Sequence, residues 1–153
     1  KNSIALYLVE LLYKSIKQPE KNEALFYFTE DVLLQLDTAD NIVAANMPLY
    51  FALHLPHFLG FRMNDDFEEA QNILDLQEGN FTAQQPAHAN IIEGENAYIT
   101  SQLLKVMHPA ELVNFHLHHE VRRKLLNYYH TYYALHIHDF GEMKTLAVLQ
   151  HVL

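Results

Sequence analysis

Apolar residues recur at helical spacing along most of the chain, and this pattern predicts a mainly α-helical fold. Residues 3–17, SIALYLVELLYKSIK, are apolar on nearly every face of a predicted helix, and their main polar positions are Glu10, Lys14, Ser15 and Lys17. A helix that is apolar all round is normally surrounded by other elements. We therefore predict that this first helix lies at the centre of a bundle.

A second and a third helix are predicted before position 61. In residues 23–37, apolar side chains recur at spacings of three and four, as on one face of a helix. The third helix is predicted over residues 46–61, with Pro48 near its first turn, where a missing N–H costs little. Pro56 lies inside the pattern and predicts a kink or an early end. Gly60 follows as the predicted C-terminal cap.

The helical pattern stops after position 61 and is replaced by polar and short apolar runs. An acidic patch, DDFEE at 65–69, precedes the sequence ILDLQEGNFTAQQP. Apolar residues flank Glu78-Gly79 on both sides, which is typical of two short strands joined by a tight turn. We therefore predict a short β-hairpin whose apolar positions are Ile73, Leu74, Leu76 and Phe81.

Helical spacing returns after the hairpin and continues to the end of the chain. Residues 96–107 predict a helix, residues 109–117 a short helix or turn, residues 119–138 a long helix, and residues 141–153 a final amphipathic helix. A chain of 153 residues has the length of one ordinary domain. The predicted fold is therefore mainly α: a helical bundle of about six helices with one short β-hairpin insertion, forming a single domain over residues 1–153.

Composition excludes several kinds of site. The chain has no cysteine, which rules out disulfides and thiolate chemistry and leaves only histidine and carboxylate side chains as zinc ligands. Ten Lys and Arg against nineteen Asp and Glu give a net charge of −9. This charge repels phosphate, whereas nucleic-acid-binding modules usually carry a basic surface. Any direct contact with DNA must therefore come from a local basic patch.

The ends of the chain carry no targeting or membrane signal. No secretory signal is present, and no apolar run approaches the roughly 20 residues that span a bilayer. The chain begins at Lys1, already inside an apolar helix-like run. We therefore expect it to be a piece of a longer protein, without a membrane anchor of its own.

The run HLHHE, residues 116–120, is the strongest candidate for a metal site. On a helix, His116 and Glu120 share a face at i, i+4, and His118 and His119 lie close by. Three or four ligands must converge to hold a metal ion, and the di-iron and HExxH patterns are absent. We favour structural roles for these histidines. A metal-dependent helical enzyme using His116, His118, His119 and Glu120 remains the alternative.

The sequence contains no other sign of catalysis or of a cofactor. None of the three serines lies in a GxSxG context, and the four glycines are too scattered for a phosphate-binding loop. Carboxylate pairs such as Glu30-Asp31 occur in polar runs typical of a surface. We therefore predict no catalytic residue, no metal and no cofactor.

The long helix carries a broad stripe of tyrosines. The stripe combines two neighbouring faces of this helix: Val121, Leu125, Tyr128 or Tyr129, Tyr132 and His136 on one, and Arg122, Leu126, Tyr129, Tyr133 and Ile137 on the other. Such a face usually belongs to a core, with phenol hydroxyls bonded at its edge. Stacking of nucleic-acid bases on exposed rings needs a positive groove, and the charge argues against one here. We predict that Arg123, Asn127, His130 and Ala134 face solvent instead.

Arg122, Arg123 and Lys124 form the only run of adjacent cations. A solvated helix face is one explanation for them. The alternative is a positive rim beside an apolar groove, which suits a peptide that is acidic and ends in apolar residues. We predict that Arg122, Arg123 and Lys124 bind a partner in this way.

The order of these segments resembles a known family. LGF at 59–61, the pattern LDL..G.F at 74–81, and YY..H...F..MK.L.VL at 132–149 resemble the C-terminal helical domain of RecO recombination-repair proteins, above all those of Bacteroidetes-type bacteria. The resemblance covers essentially the whole chain. These residues belong to packing and turns, so the resemblance identifies a family without identifying a reaction.

The resemblance implies a role in DNA repair through the RecF pathway and a location in the bacterial cytoplasm. Proteins of this type have an N-terminal OB-fold, outside this chain, that binds single-stranded DNA. They engage RecR and the C-terminal tail of single-stranded-DNA-binding protein, help to load the recombinase and anneal strands. They have no known catalytic turnover, so the chain is expected not to be an enzyme.

The chain departs from this family at one place. Many RecO proteins carry a four-cysteine zinc motif near the position of the predicted hairpin, where this chain has GNFTAQQPAHAN, residues 79–90. His88 alone cannot hold zinc. We therefore predict that the metal has been lost and that packing of Leu76 and Phe81 replaces it.

Overall fold

The computed structural model describes residues 1–153 and confirms a mainly α fold with a small antiparallel sheet. Six α-helices, one 3-10 helix and three short strands follow one another along the chain. The bounds are α1 Asn2–Ser15, α2 Glu23–Thr38, α3 Asn41–Leu59, β1 Ile73–Asp75, β2 Asn80–Thr82, β3 Ile91–Ile92, α4 Gly94–Leu104, the 3-10 helix Pro109–Asn114, α5 His119–His136 and α6 Lys144–Val152.

The central helix is α3, and the prediction that the first helix occupies the centre was wrong. Twelve of the 19 residues of α3 are buried, and α1, α2, α4, α5 and the 3-10 helix all pack against it. In contrast, α1 packs mainly against α3 and α6. Its Tyr7, Leu8 and Leu11 are buried, whereas Leu6 and Tyr13 are exposed. Helix α1 therefore carries more apolar side chains than the rest of this chain buries.

The start and the prolines of α3 also differ from the prediction. The helix begins at Asn41, because the side chain of Asp40 caps it by accepting a hydrogen bond from the Val43 N–H at 2.9 Å. Pro48 therefore lies in the helix interior rather than near the first turn. Pro56 does not end the helix, which runs to Leu59. Extensive burial of α3 offsets the hydrogen bonds that the two prolines cannot donate.

Gly60 ends α3 as predicted. Its φ of 86° lies in the left-handed region, and its N–H donates to the carbonyl of Pro56. Helix α3 is also long and apolar enough to cross a membrane by length and composition, although 67% of its most apolar window is buried in the fold. The expectation that no apolar run approaches this length therefore needs correction. Burial at the centre of the fold accounts for the composition.

The predicted hairpin is present, and a third strand joins it. Strands β1 and β2 pair antiparallel with Leu74 opposite Phe81, and β3 pairs with the other edge of β1, with Ile92 opposite Leu74. Gly79 occupies the turn with a φ of 73°. The sequence did not reveal β3, because two residues are too few to establish an alternating pattern.

Side chains hold the loop after the hairpin in place. Leu76 and Phe81 are buried, as predicted. In addition, Nε2 of His88 lies 3.0 Å from Oδ1 of Asp75, and that oxygen also accepts hydrogen bonds from the N–H groups of Gln77 and Glu78. Nδ1 of His88 accepts from the Asn90 N–H at 3.1 Å. One imidazole therefore connects the hairpin to the strand that follows it.

Candidate partner-binding site

The tyrosines of α5 belong to the core, as the sequence predicts. Tyr129, Tyr132 and Tyr133 are buried. The hydroxyl of Tyr129 shares a hydrogen bond with Thr100 at 2.7 Å, that of Tyr133 donates to the Ala52 carbonyl at 2.8 Å, and that of Tyr132 donates to the Phe61 carbonyl. Burial raises the pKa of Tyr132 to about 12. These phenols are therefore bonded inside the fold and cannot stack on nucleic-acid bases.

His130 is half-buried and packs against α1, so the prediction that it faces solvent was wrong. Its Nε2 atom lies 2.7 Å from the hydroxyl of Tyr7, and the two rings are stacked. Burial lowers the pKa of His130 from 6.5 to about 4. His136 is bonded to the Leu76 carbonyl at 2.9 Å. Of the positions predicted to face solvent, Asn127 and Ala134 are exposed.

The run HLHHE does not assemble a metal site. Helix α5 begins only at His119, so His116 precedes the helix and does not share a helical face with Glu120. His118 is the N-cap residue, and its ring lies 4.2 Å from that of His119 between centroids. No group of three or more histidine or carboxylate side chains converges anywhere in the chain. The geometry for the metal-enzyme alternative is therefore absent.

The three predicted cations lie in the first two turns of α5. Nη1 of Arg122 donates to the Leu117 carbonyl at 2.6 Å, which holds this guanidinium against the segment before the helix. Partial burial lowers the pKa of Arg122. Arg123 is half-buried and Lys124 is exposed. None of the three lies within 4.0 Å of a carboxylate oxygen, so their charges are not neutralised within the chain.

The surroundings of these cations favour an anion. The Nε atoms of Arg122 and Arg123 are buried and have no hydrogen-bond partner. The N-terminal turns of a helix carry partial positive charge, which adds to that of the cations. Phe115, Leu117 and Val121 are partly buried apolar side chains just before and at the start of α5. Together these groups form a small positive surface next to apolar side chains.

The most apolar groove lies elsewhere and was not predicted from the sequence. It has a volume of about 540 Å³ and lies between α1 and α2. Six apolar side chains line it: Leu12, Ile16, Leu25, Phe26, Leu33 and Leu34. Arg122, Arg123 and Lys124 do not line it. The excess of apolar side chains in residues 3–17 could have indicated such a groove. The sequence pattern does not show, however, which face of a helix lacks a partner.

Sequence comparison confirms the family resemblance. The family model described as recombination protein O C terminal matches residues 1–145. Among similar proteins are those named DNA repair protein RecO from Bacteroides fragilis, 34% identical over 98% of this chain, and from Flavobacterium psychrophilum, 32% identical over 99%. No solved structure matches the chain.

The match covers nearly all of this chain but only part of each relative. The RecO protein of Azobacteroides pseudotrichonymphae is 29% identical over 99% of this chain. The chain spans 62% of that relative and of the Bacteroides fragilis protein, and 61% of the Flavobacterium psychrophilum protein. Because the family model covers almost its whole length, this chain belongs to the family of recombination protein O C-terminal domains.

Proposed function

We propose that this chain is the non-catalytic C-terminal domain of a bacterial, cytoplasmic RecO protein that acts in DNA repair. The relatives named DNA repair protein RecO support this role. In the full-length protein, an N-terminal OB-fold binds single-stranded DNA, and the protein engages RecR during recombinase loading and strand annealing. The helical domain serves as a docking and structural module, because the buried tyrosines of α5 and its His130 and His136 are bonded within the fold.

The partner contact that we propose is an acidic peptide with apolar end residues, namely the tail of single-stranded-DNA-binding protein. It docks at Arg122, Arg123 and Lys124. The observation that supports this site is the set of three adjacent cations without carboxylate partners on a chain of net charge −9. A desolvated Arg–carboxylate contact is among the stronger polar interactions. Partly buried Leu117 and Val121 offer apolar contacts beside it.

The test is a fluorescence-polarisation titration of a labelled tail peptide against the protein and its charge-reversal variant Arg122→Glu plus Arg123→Glu. We expect the variant to bind at least about tenfold more weakly, since buried charged contacts usually contribute more than 1 kcal/mol. Its residual binding should also depend less on salt concentration.

A matched control reverses two exposed cations elsewhere, Arg62→Glu plus Lys144→Glu, and changes net charge by the same amount. If both variants lose affinity equally, only the overall field matters and the proposed site is wrong. Unchanged affinity of the Arg122 and Arg123 variant would reject the site outright. Circular dichroism of all variants excludes loss of the helical fold as the cause.

A further inference from the structure

One face of the domain is apolar and uncovered. We call it the α1–α2 face, and it consists of exposed side chains on both helices together with the groove between them. On α1, Tyr13 is 81% exposed, and on α2, Leu34 is 65% exposed, so both helices carry large apolar side chains without a cover. Its exposed members are Leu6, Val9, Tyr13, Ile16, Phe26, Tyr27 and Leu34.

The groove of this face has the character of a packing surface. Helices α1 and α2 both rest on α3, and the groove of about 540 Å³ opens between them. In its wall, the hydroxyl of Thr29 is buried and has no hydrogen-bond partner. Water-soluble monomers rarely expose large contiguous apolar patches, which otherwise mark interfaces. The sequence of α1, apolar on nearly every face, is that of a helix covered on both sides.

We infer that the α1–α2 face is an intramolecular interface, covered in the full-length protein by the part of the same polypeptide that lies outside this chain. Two observations select this occupant. The chain spans only 61–62% of its relatives, so more than a third of each relative remains to be placed. In addition, the matched family model describes a C-terminal part, so in those relatives the remaining polypeptide joins the side on which α1 begins.

The charge around the groove describes the surface that covers it. Glu20 and Glu30 line the groove, and neither forms an ion pair within this chain. The covering segment therefore presents apolar side chains to Phe26 and Leu34 and cations to Glu20 and Glu30. This inference is independent of the tail-docking site, which lies on α5.

The absence of cysteine in this chain allows a direct test. Single cysteines are introduced at Tyr13, at Leu34 and, as a control remote from the face, at exposed Glu69. Each is reacted with a maleimide in the 153-residue chain and in the full-length protein, and the labelled peptides are quantified by mass spectrometry. Relative to the Glu69→Cys control, we expect labelling at both test positions to be at least about tenfold slower in the full-length protein, as protection by a packed interface predicts.

Equal relative rates in the two proteins would overturn the inference. So would slow labelling of the 153-residue chain that increases on dilution, since a second copy would then cover the face. A second measurement uses Leu34→Asp. We expect this variant to lower the melting temperature of the full-length protein but leave that of the 153-residue chain unchanged. Equal shifts in both proteins, or no shift in either, would contradict the proposed interface.

Discussion

At the residue scale, His130 shows that a contact from another helix can determine whether a side chain faces solvent. The sequence pattern assigned it to the solvent side of α5, yet it is stacked on Tyr7 and bonded to that hydroxyl. The contact joins the last long helix to the first, over a separation of 123 positions. Periodicity along α5 identifies an apolar stripe, but it cannot reveal that α1 approaches the helix from beside that stripe.

The pKa of His130 makes a pH dependence testable. In the folded chain this pKa is about 4, whereas the unfolded value is 6.5, so between these values the unfolded chain binds more protons. The resulting stability is complete above pH 6.5 and is lost as the pH falls towards 4. The loss amounts to about 3 kcal/mol in the free energy of unfolding. Urea unfolding at pH 7, 6, 5 and 4 measures it.

The variant His130→Gln separates this effect from other acid-sensitive groups. Burial also lowers the pKa of His54, and this contribution is the same in both proteins. The difference between parent and variant should therefore shrink as the pH falls from 7 to 4. A constant difference would show that His130 does not titrate in this range.

At the element scale, the turn of the hairpin is matched to α5. Gly79 has a φ of 73°, and a Cβ there would lie 2.9 Å from the hydroxyl oxygen of Tyr132. The turn therefore requires glycine at this position for two reasons, namely its backbone conformation and the close approach of α5. The Glu-Gly pair in the sequence predicted this turn. The second reason depends on a tertiary contact and could not be predicted from the sequence.

We expect Gly79→Ala to destabilise the chain more than Gly94→Ala. Gly94 has a similar φ of 65° but nothing within 4 Å of an added Cβ, so it measures the backbone effect alone. The extra cost at Gly79 should be about 1–3 kcal/mol, as for overpacking of a tight contact. Combining Gly79→Ala with Tyr132→Phe should recover part of it. Equal effects of the two glycine variants in chemical denaturation would contradict the steric explanation.

A second prediction at this scale concerns the contact between Asp75 and His88. Removing the carboxylate with Asp75→Ala leaves the N–H groups of Gln77 and Glu78 and the imidazole without their shared acceptor. We expect a loss of about 1–3 kcal/mol in the free energy of unfolding. Hydrogen exchange should also accelerate at residues 77–90.

The control for loss of charge is Asp139→Asn, because Asp139 has a φ of 56°, which asparagine tolerates better than alanine. Asp139 also lies near a histidine, His138, at 3.3 Å, but its side chain is 84% exposed. Exposed pairs of this kind usually contribute less than about 1 kcal/mol. An equally large effect of both variants would mean that the loss of negative charge, and not the buried contact, weakens the chain.

At the scale of the whole molecule, charge limits what the domain does alone. With a net charge of −9, it repels the phosphates of nucleic acid, and its one run of adjacent cations is short. Under the proposed function, we therefore expect DNA binding by the full-length protein to come mainly from residues outside this chain. The domain is better suited to contacts with other proteins.

We therefore expect negligible binding of single-stranded DNA by the 153-residue chain at physiological salt. A labelled oligonucleotide should show no saturable polarisation change or mobility shift at protein concentrations of about 10 μM. A clear shift under these conditions would contradict the prediction. The full-length protein serves as the positive control.

The sequence predicted much of this architecture, since helix identity follows from local spacing. The second helix was predicted over residues 23–37 and observed at Glu23–Thr38, and the hairpin turn was placed correctly. Features that depend on neighbours distant in sequence were not predictable: the exposure of one side of α1, the burial of His130, and the α1–α2 groove. The candidate cations were identified, whereas their missing carboxylate partners became visible only in three dimensions.

The contact between His88 and Asp75 also bears on sensitivity to oxidants. Zinc held by thiolates is released when oxidants attack the sulfur atoms, and oxidants are among the agents that damage chromosomes. A loop fastened by an imidazole and a carboxylate has no thiolate at this contact for an oxidant to attack. We expect this contact to persist under oxidising conditions that would release zinc from a thiolate site.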